Sequence, residues 1–102
     1  MPNRTDPLEA WIDESIRRSG SRGYHPQVFI GLRDRLGTVS AIEQLVRSGD
    51  IQSGFYRLRQ LGMLEWSIES AVRQFPDRFT PEALACADFR LNHVDDSVLR
   101  SR

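Results

Sequence analysis

The sequence predicts an all-α protein, a compact orthogonal bundle of five to six short helices. Three observations carry that expectation. Apolar residues recur at helical spacing in segment after segment, and glycines with capping residues stand at the joints: Gly37-Thr38, Gly49-Asp50, and Gly62 followed by Ser67. The one alternating stretch, Met63-Leu64-Glu65-Trp66, reads as a brief extended piece too short and isolated for a sheet. At 102 residues the chain supports one domain, residues 1–102, whose polar ends at about 1–5 and 95–102 are expected to fray.

Asp6-Pro7 reads as an N-cap followed by a proline at the first helical position, where its missing N–H is no loss. Leu8, Trp11, Ile12 and Ile16 give the first helix its stripe, and the helix ends near Ser19 before the joint Gly20-Ser21-Arg22-Gly23. Tyr24-His25-Pro26 begins the second helix, in which Val28, Phe29, Leu32 and Leu36 form the expected buried stripe, and Gly37 ends it. Thr38 is read as the cap of the third helix, which buries Val39, Ile42, Leu45 and Val46 and closes at Gly49. Asp50 or Ser53 caps the fourth, with Ile51, Phe55, Leu58 and Leu61 inward and Gly62 at its end. Ser67 caps a fifth helix carrying Ile68, Ala71, Val72 and Phe75, which Pro76 stops. Thr80-Pro81-Glu82 starts the last, with Phe79 placed to clasp Leu84 as a hydrophobic staple and Leu84, Ala87, Leu91 and Val94 on its inner face.

No apolar run approaches the ~20 residues that span a bilayer, so no membrane partner is expected. The polar start, Met1 to Asp6, lacks the apolar core of a secretory signal, and a cytoplasmic location is expected. A single cysteine, Cys86, cannot close an internal disulfide. Fourteen basic residues balance fourteen acidic ones, and every base is an arginine. From Arg17 to Arg59 eight arginines face three acids, Asp34, Glu43 and Asp50, which makes the middle of the chain basic and its flanks acidic.

From Gly23 to about His93 the chain carries an ordered series of residues: Gly23-Tyr24; Gly37-Thr38-Val39 with Ala41 and Leu45-Val46; Ser53-Gly54-Phe55 with Leu58; Leu61-Gly62 with Leu64; Ser67-Ile68-Glu69; and Phe79-Thr80. In this series it resembles a helical domain of bacterial proteins of unassigned function, found alone or as a C-terminal extension. The resemblance implies a helical fold and a bacterial context. Its positions are caps, turns and core residues, so it transfers no catalytic residue.

Catalytic chemistry finds no constellation in the sequence. Cys86 sits among alanines and leucine with no neighbouring base to stabilise a thiolate. His25 and His93 are scattered, without the spacing of a zinc site, and Asp13-Glu14 and Asp95-Asp96 diverge on a helix. A phosphate loop with its lysine cannot occur in a chain lacking lysine. The expectation is a non-enzyme without cofactor or metal. Two binding classes remain. The leading one is a protein-interaction or accessory module with a protein partner or a second copy of the chain, since aromatics with arginine commonly anchor interfaces. The alternative is a nucleic-acid-binding domain with a helix-turn-helix-like pair at 38–61, where Gln52, Arg57, Arg59 and Gln60 would meet phosphate and base edges. Arg33, Arg35, Gln52, Arg57, Arg59, Gln60 and Trp66 form the candidate binding surface.

Overall fold

The computed structural model describes the backbone of residues 6–48 and 53–100 and the side chains of 6–48 and 54–92. Six α-helices follow one another: α1 (Pro7–Ser21), α2 (Gln27–Leu36), α3 (Thr38–Arg47), α4 (Ser53–Gln60), α5 (Ile68–Gln74) and α6 (Pro81–Arg100). One 3₁₀ turn, Leu64–Trp66, precedes α5 and another, Pro76–Arg78, follows it. No strand occurs among the described residues, and the all-α expectation holds. The joint read at Gly49-Asp50, with Ile51 and Gln52, lies outside the described residues, while helical backbone continues through the segment expected to fray as far as Arg100.

Several termini form as their side chains dictate. Asp6 accepts the Leu8 N–H at 2.9 Å with Pro7 in the first turn, and Ser67 accepts the Ser70 N–H at 3.2 Å. Thr80 Oγ1 accepts the Ala83 N–H at 3.1 Å, while Glu43 on α3 accepts the Thr80 N–H at 2.7 Å, so α3 helps to cap α6. Gly37 and Gly62 stop their helices with φ of 90° and 72°, a region that side chains with a Cβ avoid.

Two local expectations are corrected. Thr38 does not cap α3: Gly37 occupies the N-cap, and the Thr38 hydroxyl turns into an interhelical network instead. It donates to Glu9 at 2.7 Å and accepts from Arg33 at 2.8 Å, while Arg33 also pairs with Glu9 at 2.6 Å and Asp13 at 2.9 Å. Residues 63–66 are not extended either. A lone strand would leave its N–H groups without partners, and the turn satisfies two of them locally, Trp66 N–H to Met63 O at 2.9 Å and Ser67 N–H to Leu64 O at 3.0 Å.

The core is built where apolar stripes converge. Leu8, Ile12, Phe29, Leu32, Ala41, Ile42, Leu45, Val46, Ala71, Val72, Phe79, Ala83 and Ala87 form one buried cluster, against which Trp11, Ile16, Ile68, Phe75 and Leu84 pack. Helix α3 lies centrally, against α2, α5 and α6, and α5 packs on α6. On α2 the stripe is narrower than expected: Phe29 and Leu32 are buried, whereas Val28 is 66% and Leu36 43% exposed.

Inside this core sits an ion pair. Arg90 of α6 is 4% exposed and Glu69 of α5 is 2% exposed, with Nη1 and Oε2 3.0 Å apart. The same guanidinium donates to the carbonyls of Leu45 at 3.1 Å and Ser48 at 2.7 Å, the last acceptors of α3. Burial pushes the Glu69 carboxyl above its ordinary range, and the Arg90 hydrogen bond opposes that rise.

Replacing Arg90 by Met is therefore expected to cost about 3–5 kcal/mol, since it leaves a buried carboxylate uncompensated and carbonyls of α3 unsatisfied. Glu69→Gln, which keeps an acceptor for Arg90, should cost less. Removing the guanidinium also raises the Glu69 pKa further above its unfolded value. The R90M protein should consequently gain stability as the pH falls through that raised value, the direction in which the folded state binds more protons. Denaturant melts of both variants as a function of pH check the order and the sign.

Candidate functional site

A half-enclosed cavity of about 230 Å³ opens between the end of α1, the α1–α2 connection, α4 and the start of α5. Ile16, Phe29, Leu45, Phe55, Leu58 and Ile68 give it apolar walls. Phe55 is buried at 3% exposure, whereas Val28 at the mouth stands open to solvent. This is the general character of a binding pocket, an apolar concavity with a few placed polar groups.

Four polar side chains of the lining, Ser15, Ser19, Ser67 and Glu69, have hydrogen-bond partners within the protein. Ser15 Oγ donates to the Trp66 carbonyl at 2.6 Å, tying α1 to the 3₁₀ turn, and Ser67 Oγ donates to Leu64 O at 2.8 Å. Buried Ser19 donates to Ile16 O at 3.2 Å, and its own carbonyl receives the Tyr24 N–H at 2.9 Å, which turns the chain and points it toward α2. The His25 ring lies over Gly20 of α1. Glu69 reaches the wall with its charge already met by Arg90.

Tyr24 and Gly54 form the tightest joint of the cleft. A Cβ on Gly54 would collide with the Tyr24 hydroxyl and lie 3.3 Å from Cζ, so the phenol packs directly on the α4 backbone. Burial pushes the Tyr24 hydroxyl pKa up, and the group is neutral at any physiological pH.

The residues singled out from sequence are dispersed. Trp66 lines the cleft, with its ring packed on Trp11 in a tilted arrangement at 5.0 Å between centroids and the Arg18 guanidinium 4.7 Å from its centroid. Arg57 and Gln60 are exposed on α4 with 3.5 Å between their polar ends, and Arg59 is half-buried on the same helix. At 100° per residue, Arg57 and Arg59 fall about a quarter turn to either side of the stripe formed by Gly54, Phe55 and Leu58. Arg33 is committed to Glu9, Asp13 and Thr38, and Arg35 is exposed on α2. Gln52 lies outside the described residues. Helix α3 packs on α2, α5 and α6 while α4 packs chiefly on the Leu64–Trp66 turn; Gln44 is exposed and Leu45 buried.

Sequence reasoning passed over Glu69, Arg90 and the Tyr24–Gly54 contact. The signals were present: Glu69 is three residues from Val72, and Arg90 continues the inner row Ala83-Ala87 by three. Opposite charges on two otherwise apolar faces are the mark of a buried pair. Among the described residues no group of three or more His, Cys, Asp or Glu is gathered to hold a metal ion, and Cys86 is a free, half-buried thiol packed against the core.

Two measurements test this geometry. Gly54→Ala would ordinarily strengthen a helix by about 0.8–1 kcal/mol, yet here it is expected to destabilise by about 1–3 kcal/mol through overpacking on the phenol. In a Tyr24→Phe background the same change should become neutral or stabilising, and a thermodynamic double-mutant cycle reads that reversal of sign. At the cleft edge, hydrogen bonds from Arg17 and Arg18 hold the Glu14 carboxyl down at about 2 against an ordinary 4.5. Its stabilising contribution should be complete above the unfolded value and be lost as pH falls through about 2, and carboxyl-carbon NMR titration should find the midpoint there.

No protein-family model matches this chain, and neither comparison with curated proteins nor comparison with solved structures gives a match.

Proposed function

We propose that this chain is a non-enzymatic protein-interaction module of a bacterial protein system, acting in the cytoplasm, and that the cleft beside α4 is its docking site. The observation that carries this reading is the cleft itself: apolar walls around about 230 Å³, open to solvent, with Val28 exposed at the mouth. A concavity of that kind recovers apolar burial when a partner side chain fills it. Two polar groups of its lining, Ser15 and Glu69, are engaged in contacts between elements, and Ser19 and Ser67 bond to nearby carbonyls, which favours binding over turnover. No described helix is long and apolar enough to cross a membrane, and the partner is accordingly sought among proteins, including a second copy of the chain.

A second reading, nucleic-acid binding, is favoured by one observation. Arg22, Arg35, Arg57 and Arg59 have no carboxylate within ion-pair distance among the described residues, leaving guanidinium groups available to phosphate. The balanced net charge lends it no long-range attraction.

Affinity capture from a bacterial lysate, with the parent chain and with Val28→Asp, separates these readings. Val28 is exposed, so the substitution should leave the melting curve close to that of the parent. The interaction reading expects proteins that survive nuclease treatment and are lost with V28D. Material released by nuclease would favour nucleic acid, and nuclease-resistant partners retained fully by V28D would move the docking site elsewhere. Light scattering of the parent and V28D chains tests whether the partner is another copy.

A further inference from the structure

The interior and the rim of the cleft differ in charge, and the difference gives the docked partner a chemistry. This step rests on the protein-docking reading above. Inside, the one charged group in the lining is Glu69, 2% exposed and paired with Arg90 at 3.0 Å. An entering group meets no uncompensated charge there, and the apolar walls reward an uncharged, bulky side chain. A cavity of about 230 Å³ holds one or two such side chains rather than a longer element.

The rim has the opposite character. On the elements around the opening, α1 from Glu14 onward, the connection to α2, α4 and the Leu64–Trp66 turn, the described residues include Arg17, Arg18, Arg22, Arg57 and Arg59, which stand beyond the cavity lining itself. Apart from Glu69 at the start of α5, which Arg90 already pairs, the carboxylates on the described residues of these elements are Glu14 and Glu65. Glu14 is shared by Arg17 and Arg18, leaving that trio with a net positive charge. Arg22, Arg57 and Arg59 have no carboxylate within ion-pair distance among the described residues. A guanidinium matches a carboxylate in a planar two-bond fork, so the rim favours aspartate and glutamate next to the anchoring side chains.

We infer that the cleft binds a segment of a partner protein in which one or two bulky apolar residues are flanked by acidic residues. The apolar part fills the space between Tyr24, Phe55 and Leu58, and the carboxylates meet the arginines of α1 and α4. Nucleic acid fits the rim but not the interior. Within the cleft, Trp66 is not free to stack on a base, because Trp11 and the Arg18 guanidinium already pack against it.

The test is an NMR titration of the full chain with four probes: a capped peptide bearing a Leu-Phe pair between aspartates, its twin with lysines for aspartates, its twin with serines for the Leu-Phe pair, and a single-stranded oligonucleotide. The expected result is that the acidic apolar peptide shifts resonances of Ile16, Leu58 and Ile68. It should bind roughly tenfold or more tighter than the lysine twin at low salt, a gap that closes as salt rises. The serine twin should lose most of the affinity. Equal binding of the acidic and lysine peptides at every salt concentration would overturn the acidic preference while leaving the docking reading standing. Failure of both apolar peptides to shift the cleft resonances, or a serine twin as tight as its parent, would overturn the docking reading itself. An oligonucleotide that displaces the acidic peptide from the same resonances would overturn both in favour of nucleic acid. The double variant R57Q/R59Q should narrow the gap between acidic and lysine peptides, and an undiminished gap in the folded variant would remove α4 from the rim. Should that variant fail to fold, the salt titration of the parent alone decides the acidic preference.

Discussion

A guanidinium with 4% of its surface exposed constrains everything around it, and Arg90 is that group. Taking its charge out of water is costly unless the hydrogen-bonding capacity is met at the same time. Glu69 meets the charge from α5, and the carbonyls of Leu45 and Ser48 meet further donors from the end of α3. Three helices must therefore arrive together in one relative position. Alternative packings of the same apolar stripes would strand the ion, which is how a polar group in a small core selects one arrangement among many that bury similar area. The pair gives orientation more than net stability, because a hydrophobic replacement of matched shape could bury the same volume without desolvating two charges.

Two exposed or half-buried networks repeat this arrangement at the other joints. Arg33 with Glu9, Asp13 and Thr38 ties α2 to α1 and to the start of α3, and Glu43 with Thr80 ties α3 to the start of α6. A composition in which every base is arginine thus serves partly inside the fold, where the forked guanidinium can bridge several acceptors at once. Helix α4 is held differently. It packs chiefly on the Leu64–Trp66 turn and meets the α1–α2 connection through the contact of Tyr24 with Gly54. The cleft lies along this boundary, between a part of the molecule fixed by ion pairs and a helix seated by shape.

That position accounts for the mixed character of the site. The rigid side supplies buried and half-buried serines whose hydroxyls donate to backbone carbonyls, together with a carboxylate neutralised from behind, so the interior offers apolar surface without stray charge. The α4 side supplies Phe55 and Leu58 toward the interior and arginines to either side of them. An apolar interior with a polar rim is the ordinary anatomy of a protein-binding hot spot. It is also why the candidate surface read from sequence divides: Arg57, Arg59, Gln60 and Trp66 belong to the cleft or its helix, whereas Arg33 belongs to the scaffold.

The sequence by itself determined the all-α class, a count of five to six helices and most of their ends, because caps, prolines and glycines act through backbone groups a few residues away. Asp6, Gly37, Gly62, Ser67 and Thr80 all punctuate as their chemistry requires. It also located most of the core, since apolar spacing along a helix is a local property; Val28 and Leu36 escaped because how much of a stripe is covered depends on the neighbouring helices. The redirection of Thr38 from cap to bridge, the burial of Glu69 with Arg90, and the seating of Tyr24 on Gly54 were decided only in the tertiary structure. Each joins residues from different helices, and the free energy of such a contact depends on a distance that no local pattern contains. The cleft is of the same kind, a space between elements, formed by where the helices stop approaching one another.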